Sequence, residues 1–286
     1  MLLFKALQET CEGERMNNYL NKIIQGDCLE FMKGIPNNSI DLTVTSPPYD
    51  NLRAYNGFSF DFEGIAKELY RVTRQGGVVV WVVNDATIKG SESGTSFRQA
   101  LYFKEIGFNL HDTMIYRSEK PPLTHNRYEQ KFEYMFVLSK GKPKTFNPFM
   151  IECKYAGKPN PKGTFRHTGQ ETQKAHKQTK VKGFKIKGNV WEYATGYQKT
   201  TKDKFAYKHP AMFPEQLAQD HILTWSNEGD TVLDPFVGSG TTAKMAILNN
   251  RNYIGIELSA EYCAIAGKRL SEAMEGLMLL DCVQTL

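Results

Sequence analysis

The sequence predicts an α/β fold, in which helices pack on both faces of a mostly parallel β-sheet. Short apolar runs alternate with segments of helical periodicity, both before and after a polar middle region. One run, Val78 to Val83, is apolar throughout, which is typical of a strand buried on both faces. With 286 residues, of which 41% are hydrophobic, the chain can bury a sizeable core.

The first tract of the chain alternates predicted strands and helices. The earliest strand stops at Pro47-Pro48, because proline donates no ladder hydrogen bond, and Gly76-Gly77 is expected to end the first helix. The predicted strands are Asp41–Thr45, Val78–Val83, His111–Tyr116 and Tyr134–Leu138, and the predicted helices are Asp61–Thr73 and Ser96–Ile106.

The last tract returns to the same alternation. Strands that alternate with helices favour a parallel sheet. The predicted helices are Pro214–Trp225, Thr241–Leu248 and Ala260–Met278, and the predicted strands are Thr231–Leu233 and Tyr253–Ile256.

The middle tract is polar and strongly basic. Residues 118–208 carry 20 Lys and Arg against 7 Asp and Glu, a balance of +13, while the rest of the chain has a balance of −8. A basic insert in an acidic body is typical of a lobe that binds a polyanion; the alternative is a solvated lysine-rich loop. The predicted organisation is an N-terminal extension (1–21), a first half-domain (22–138), the insert (139–208) and a second half-domain (209–286).

The cysteines indicate a reduced protein without a metal site. Cys11, Cys28, Cys153, Cys263 and Cys282 form no Cys-x-x-Cys pair, which argues against a disulfide framework and a structural zinc site. No run reaches the roughly 18 apolar residues of a membrane span, and the first residues lack the pattern of a signal peptide. We therefore expect a cytoplasmic protein.

A glycine turn joins the predicted strand at 231–233 to the following helix. Gly238 and Gly240 let the backbone approach a ligand closely, at the strand end where open α/β sheets bind cofactors. The pattern is neither a Walker A loop nor the full Gly-x-Gly-x-x-Gly fingerprint, which disfavours a P-loop ATPase and a nicotinamide enzyme. Glu257 ends the next strand, where a carboxylate can accept hydrogen bonds from both ribose hydroxyls; the alternative is an ordinary acid near a helix start.

The turn Ser46-Pro47-Pro48-Tyr49 directly follows a predicted buried strand. Two prolines fix the backbone, so that its carbonyl groups point in a set direction as hydrogen-bond acceptors. Tyr49 adds a flat face on which a planar ligand can stack. This combination suits an amino group on a heteroaromatic base; the alternative is a Pro-Pro pair that only ends a loop.

Together, these motifs resemble the amino-group DNA methyltransferases, specifically the permuted β class. In that class the Ser/Asp-Pro-Pro-Tyr/Phe half comes first, a target-recognition region follows, and the cofactor half with Phe-x-Gly-x-Gly comes last. Residues 22–270 follow this order. Further phrases that match the class are Gly26–Cys28, Lys131–Lys140, Asn189–Glu192 and Lys208–Glu215. The chain departs from the class at Ala211 and Phe213, where members often carry Thr and Lys.

The resemblance implies a Rossmann-like sandwich with a circularly permuted motif order, which binds S-adenosyl-L-methionine. Ser46, Pro47, Pro48 and Tyr49 would hold the target amine and base. Around the cofactor, the glycine turn would enclose the methionine part, Glu257 the ribose, and the segment at 27–28 the adenine. The implied cofactor-binding residues are Asp27, Cys28, His209, Pro214, Asp234, Pro235, Phe236, Gly238, Gly240, Thr241 and Glu257.

Double-stranded DNA is the implied partner, with the target base flipped out of the duplex. The basic insert and its surroundings supply the candidate DNA contacts Arg127, Lys154, Arg166, Lys182 and Lys185. A cognate restriction endonuclease and a second copy of the chain stay open as further partners, and no membrane partner is expected.

The implied reaction is direct transfer of a methyl group to an exocyclic base nitrogen. No Pro-Cys pair is present, which disfavours carbon-5 cytosine chemistry with its cysteine nucleophile. Ser46 favours cytosine N4 over adenine N6, since serine is more frequent at this position in the cytosine enzymes of the family. The alternatives are a methyltransferase for RNA or protein glutamine and a DNA-binding relic; the intact turns and Glu257 argue against the relic.

Overall fold

The computed structural model describes residues 13–48, 60–117, 127–159, 164–165, 173–174 and 180–284. They form two compact units. The larger unit draws its residues from 1–147 and 189–286, and the smaller unit is Pro148–Gly188. Of the predicted insert, residues 148–188 thus make up the smaller unit, while both ends of the insert lie in the larger one.

Strands and helices alternate along the chain, both before and after the smaller unit. In chain order the strands are β1 (Lys22–Gln25), β2 (Ile40–Thr45), β3 (Thr73–Val83), β4 (Thr87–Ile88), β5 (Ser91–Glu92), β6 (Asn109–Arg117), β7 (Phe132–Ser139), β8 (Met150–Glu152), β9 (Thr164–Phe165), β10 (Gln173–Lys174), β11 (Phe184–Ile186), β12 (Val190–Glu192), β13 (Thr231–Asp234) and β14 (Asn252–Glu257). Of these, β8 to β11 belong to the smaller unit itself. The helices, after a short helical segment at 13–17, are α1 (Cys28–Gly34), α2 (Phe62–Val72), α3 (Thr95–Glu105), α4 (Glu215–Trp225), α5 (Thr241–Leu248) and α6 (Ala260–Gln284), with a 3₁₀ helix at Lys204–Lys208.

Eight strands form the central sheet in the order β1-β14-β13-β2-β3-β7-β6-β12. Within this sheet, β7 runs antiparallel to its neighbours β3 and β6, and the other pairings are parallel. The predicted α/β fold with a mostly parallel sheet is therefore confirmed. No helix in the described part of the chain is long and apolar enough to cross a membrane.

Both faces of the sheet are covered, as the apolar run in β3 predicted. Val79, Trp81 and Val83 belong to the core that packs against α1, α2 and α3. The alternate residues Val80 and Val82 point to the opposite face and are equally buried, at 0% exposure. A strand buried on both faces needs apolar side chains at every position, which explains why alternation is absent there.

Gly76-Gly77 does not end the first helix, contrary to the expectation from sequence. Helix α2 ends at Val72, and the glycines lie inside β3. The pairing of β2 with β3 jumps from Ile40–Thr73 to Leu42–Val78, so the residues between form a bulge. Gly76 has a φ of +82°, and a Cβ on it would lie 2.9 Å from the Lys144 Cβ, so both backbone and packing require glycine there.

The described part of the smaller unit contains two short antiparallel ribbons. Strand β8 pairs with β11, and β9 pairs with β10. Residues 148–188 contain 10 Lys and Arg against 2 Asp and Glu, and few apolar side chains. None of the residues at 148–159 and 180–188 is buried. Mutual repulsion of the lysines and the exposure of these residues fit the absence of helical or strand periodicity in this part of the sequence.

Candidate active site

The carboxyl ends of the parallel strands meet at one edge of the sheet, and this edge carries the sequence motifs. Strands β2 and β13 are hydrogen-bonded neighbours although they lie about 190 residues apart in sequence. The Thr45 hydroxyl donates to the Asp234 carboxylate at 2.6 Å, and the Thr242 hydroxyl donates to the Val44 carbonyl at 3.0 Å. The turn after β2 and the turn after β13 therefore lie side by side.

The first of these turns contains Ser46, Pro47 and Pro48. Pairing between β2 and β3 ends at Thr45, because the prolines that follow Ser46 have no N–H to donate. Pro47 is buried, whereas Ser46 and Pro48 are partly exposed. Tyr49, the fourth predicted residue of the turn, lies outside the described residues.

The glycine turn follows β13 and folds back on β14. Gly238 and Gly240 have φ values of +51° and +86°, a conformation that glycine adopts most readily. The Gly238 N–H donates to the Glu257 carboxylate at 3.0 Å. A Cβ on Gly238 would lie 2.8 Å from His209 Nε2, so the predicted residues His209 and Gly238 are in contact.

Glu257, at the end of β14, keeps the capacity to bind a ligand. One oxygen accepts from the Gly238 N–H and the other from the Ser259 N–H at 2.8 Å. Since a carboxylate can accept about four hydrogen bonds, Glu257 retains acceptor capacity beyond its backbone donors. Burial raises the pKa of Glu257, while hydrogen bonds from the backbone N–H groups of Ser259, Gly238 and Leu258 act in the opposite direction. The remaining acceptor capacity of this carboxylate fits a ribose hydroxyl group.

The end of β1 adds Asp27 and Cys28 to the same edge. The Gly26 N–H donates to the Glu257 carbonyl at 2.9 Å, and the Asp27 side chain caps α1 by accepting from the Leu29 N–H at 2.8 Å. Burial raises the pKa of Cys28 to about 12, so its thiol is neutral near pH 7. Cys28 thus contributes a small apolar side chain to this edge and is not a nucleophile.

Phe236 connects the glycine turn to an aromatic cluster. Its ring centroid lies 5.7 Å from that of Phe60 and 6.3 Å from that of Trp81, both in edge-on orientation. Phe236 is partly exposed and the preceding Pro235 is buried. An aromatic face held in this way can attract a cation such as a sulfonium.

Asp234 is the most deeply buried acid of the edge, with 2% exposure. Burial raises its pKa to about 6, although hydrogen bonds from Thr45, Thr242 and the Phe236 N–H stabilise the charged form. Near neutral pH Asp234 therefore carries a negative charge in an environment with little water, where a nearby positive charge is strongly favoured.

We expect cofactor binding to weaken as the pH falls through 6, because protonation of Asp234 removes that charge. Between pH 7 and pH 5 the affinity for the sulfonium cofactor should drop by up to about 10-fold. The affinity for the uncharged thioether product should depend less on pH. In Asp234→Asn the two ligands should show the same pH dependence. Calorimetric titration at several pH values measures this; an unchanged pH dependence in the variant would contradict the assignment.

Several residues of this edge were not identified from the sequence. Thr45 and Thr242 bridge the two turns, and hydroxyls in an apolar strand or helix gave no distinguishing signal. Arg269 is fully buried and donates to the glycine turn from α6. The sequence could have pointed to Arg269. It lies at helical spacing with Ala266, Leu270 and Ala273 on one buried stripe, and it is the charged residue among these four.

Pro214 and Thr241 of the predicted set flank this region. Pro214 immediately precedes α4, and Thr241 begins α5 with its hydroxyl 3.1 Å from Arg269 Nη1. Among the described residues, no group of three or more His, Cys, Asp or Glu side chains is arranged to hold a metal ion.

The predicted DNA contacts fall into different parts of the molecule. Lys154, Lys182 and Lys185 are exposed residues of the smaller unit. Arg127 belongs to the larger unit, where it lies 3.6 Å from Glu92 and also bonds the Gly90 carbonyl. Arg166 lies outside the described residues.

Known proteins share both the sequence and the fold. The chain is 63% identical to M.BamHII, an orphan methyltransferase of Bacillus amyloliquefaciens, over 236 residues, or 81% of this chain and 89% of the relative. Among solved structures, TTHA0409 of Thermus thermophilus, complexed with S-adenosyl-L-methionine, matches with a TM-score of 0.59 and 22% identity over 88% of this chain and 93% of its own. The PvuII DNA methyltransferase (cytosine-N4-specific) matches with a TM-score of 0.63 and 21% identity over 86% and 85%.

Because the two solved structures are only 21–22% identical to this chain, they support the fold alone. The family is shown by the sequence. The model of the DNA methylase family N6_N4_Mtase matches residues 40–268, which span from β2 into α6 and include both turns. The cradle of left-handed glycines, an acceptor carboxylate and an aromatic face fits a nucleoside sulfonium. The chain therefore belongs to the N6_N4_Mtase family of DNA methylases, and its methyl donor is S-adenosyl-L-methionine.

Proposed function

We propose that this chain methylates the N4 amino nitrogen of a cytosine that is flipped out of double-stranded DNA at a specific site. The hydrogen bond between Thr45 and Asp234 carries the proposal. It joins the residue that precedes the Ser-Pro-Pro turn to the residue that precedes the Pro-Phe-x-Gly turn. An amine held by the first turn then lies next to a methyl donor held by the second.

Catalysis in this proposal rests on positioning, which can supply about 7–11 kcal/mol. When bound, S-adenosyl-L-methionine supplies an electrophilic methyl group on a positively charged sulfur. The Ser46 hydroxyl and the Pro47 carbonyl accept hydrogen bonds from the target amine, which draws the nitrogen toward tetrahedral geometry and frees its lone pair. The nitrogen–carbon bond forms as the carbon–sulfur bond breaks, sulfur keeps the electron pair, and one amine proton passes to solvent.

The choice of cytosine depends on Ser46 and on a structural relative. Serine at this position favours cytosine-N4 enzymes within the family, and the PvuII enzyme, which has the same fold, is described as cytosine-N4-specific. Adenine N6 is the second candidate, because the matched family covers both amines. Either base presents a planar ring and an exocyclic amine to the same acceptors, so the turn alone accommodates both.

The test is to incubate the protein with S-adenosyl-L-methionine and unmethylated genomic DNA, digest the DNA to nucleosides and analyse them by mass spectrometry. We expect N4-methylcytosine. N6-methyladenine would overturn the choice of base while leaving the reaction class intact. No methylated nucleoside, with cofactor binding demonstrated, would overturn the proposal of a DNA substrate and favour RNA or protein glutamine.

In this proposal the smaller unit binds the DNA backbone. It is rich in exposed lysines, and the Lys154 and Lys158 ammonium groups lie 5.7 and 5.3 Å from the ring centroid of the half-exposed Tyr155. Lysines supply phosphate contacts, and exposed aromatic faces suit bases or sugars.

We expect the DNA affinity to fall steeply with salt, because each neutralised phosphate contributes a slope of about −0.9 in a plot of log affinity against log salt. The double substitution Lys182→Ala/Lys185→Ala should make this slope shallower by about 2. Lys33→Ala is the matched control, because Lys33 is an exposed lysine at the opposite end of α1 from the active-site edge. Fluorescence anisotropy measures the slopes; an equal change in both variants would contradict the role of the smaller unit.

A further inference from the structure

A cluster of largely buried charges lies next to the glycine turn. Arg269, on α6, has 0% exposure and donates from Nε to Asp203 at 2.7 Å and from Nη2 to Glu215 at 2.6 Å. Lys244, on α5, donates to the same two carboxylates at 2.7 and 2.8 Å. Two cations and two anions compensate each other, so the cluster has no excess charge with which to attract a ligand.

The remaining guanidinium nitrogen of Arg269 faces the glycine turn. Nη1 donates to the Ser239 carbonyl at 2.9 Å and lies 3.1 Å from the hydroxyls of both Ser239 and Thr241. On the other side of the turn, the Gly238 N–H is bound by Glu257. The turn is thus fixed from two sides, by a carboxylate at the ligand edge and by a guanidinium behind it.

Asp203 and Glu215 are the two ends of a segment that crosses the glycine turn. This segment contains His209, whose ring lies against Gly238 and 4.4 Å from that of Tyr262. Arg269 therefore joins both ends of the segment to each other and to the turn. The Lys244 ammonium bonds to Asp203 and Glu215 and so joins the two ends to each other.

We infer that Arg269 is a positioning residue for S-adenosyl-L-methionine: it locks the glycine turn and the segment 203–215 into the arrangement that the cofactor needs. A buried ion network of this kind is a poor source of stability, because desolvation of the charges offsets their attraction. What the network supplies is a fixed geometry, since the planar guanidinium offers five hydrogen-bond donors in set directions. The inference concerns the methyl-donor pocket and is independent of the base that is methylated.

Arg269→Lys tests this inference, because lysine keeps the charge but loses the fork that reaches the carboxylates and the turn at the same time. We expect the Kd for S-adenosyl-L-methionine, measured by calorimetry, to rise at least about 10-fold, which is about 1.4 kcal/mol. The KM for the cofactor should rise in parallel. The kcat at saturating cofactor should stay within about 2-fold, since the lost interaction supports binding and not the displacement itself.

Lys244→Met is the matched control. It removes a cation from the same two carboxylates but leaves the donors to the glycine turn in place. Both variants should lower the unfolding temperature, whereas only Arg269→Lys should weaken cofactor binding. A wild-type Kd in Arg269→Lys, or an equal rise in Kd in Lys244→Met, would overturn the inference.

Ser239→Ala provides a second route if Arg269→Lys does not fold. Alanine removes one acceptor of Arg269 Nη1 without leaving a buried charge unpaired. The inference expects a higher Kd for the cofactor in this variant and little change in unfolding temperature. An unchanged Kd would overturn it.

Discussion

Gly240→Ala should lower the affinity for S-adenosyl-L-methionine by at least about 10-fold and the free energy of unfolding by about 2–5 kcal/mol. Gly240 has a φ of +86°, which is unfavourable for residues with a Cβ. That Cβ would lie 2.9 Å from the Ala266 Cβ and 3.0 Å from its Cα, within α6. Because a helix backbone cannot move aside easily, the glycine turn must shift and lose its fit to the cofactor.

Gly229→Ala separates the effect of backbone strain from that of the close contact with α6. Gly229 has a similar φ of +80°, but a Cβ there would meet nothing within 4 Å. It should therefore cost only the backbone strain of about 1–2 kcal/mol and leave cofactor binding unchanged. Urea unfolding and calorimetric titration compare the two variants. If Gly240→Ala bound the cofactor normally, the close contact with α6 would not be what shapes the turn.

Tyr49→Ala should lower kcat about 10- to 100-fold while cofactor affinity stays near normal. The prediction follows from sequence, since a flat ring next to the Ser-Pro-Pro turn is expected to stack on the flipped base. Stacking of one base on an aromatic side chain contributes about 1–3 kcal/mol, which corresponds to this range of rate.

Tyr49→Phe is the matched variant, because it keeps the ring and removes only the hydroxyl. It should retain most of the turnover if the face of the ring is what matters. Steady-state methylation of duplex DNA and a separate cofactor titration give both quantities. A large loss of cofactor affinity in Tyr49→Ala would mean that the two turns have been assigned the wrong roles.

Local patterns accounted for most of the secondary structure. The predicted helix at 241–248 agrees in its bounds with α5, and the strands at 41–45 and 253–256 differ by a residue or two from β2 and β14. These elements are set by periodicity over a few residues, which sequence displays directly. Prediction failed at Gly76-Gly77, where a bulge in β3 accommodates the chain near Lys144, a contact between residues far apart in sequence.

Only part of the candidate site could be predicted from local sequence patterns. The glycine turn and Glu257 could be singled out because their chemistry is local: a backbone without Cβ and an acid at a strand end. Arg269 could not be given a role, because its partners Asp203 and Glu215 come from another segment. A charged residue on a buried helix stripe signals a partner, but sequence does not say which one.

The sequence by itself determined the fold class, the order of the two turns and the residues within them, because each depends on short-range periodicity or on the chemistry of a few adjacent residues. Only the tertiary structure decided that Thr45 meets Asp234, that His209 covers Gly238, and that one guanidinium holds the glycine turn. These contacts arise when parallel strands and their crossover helices bring distant segments to one edge of the sheet.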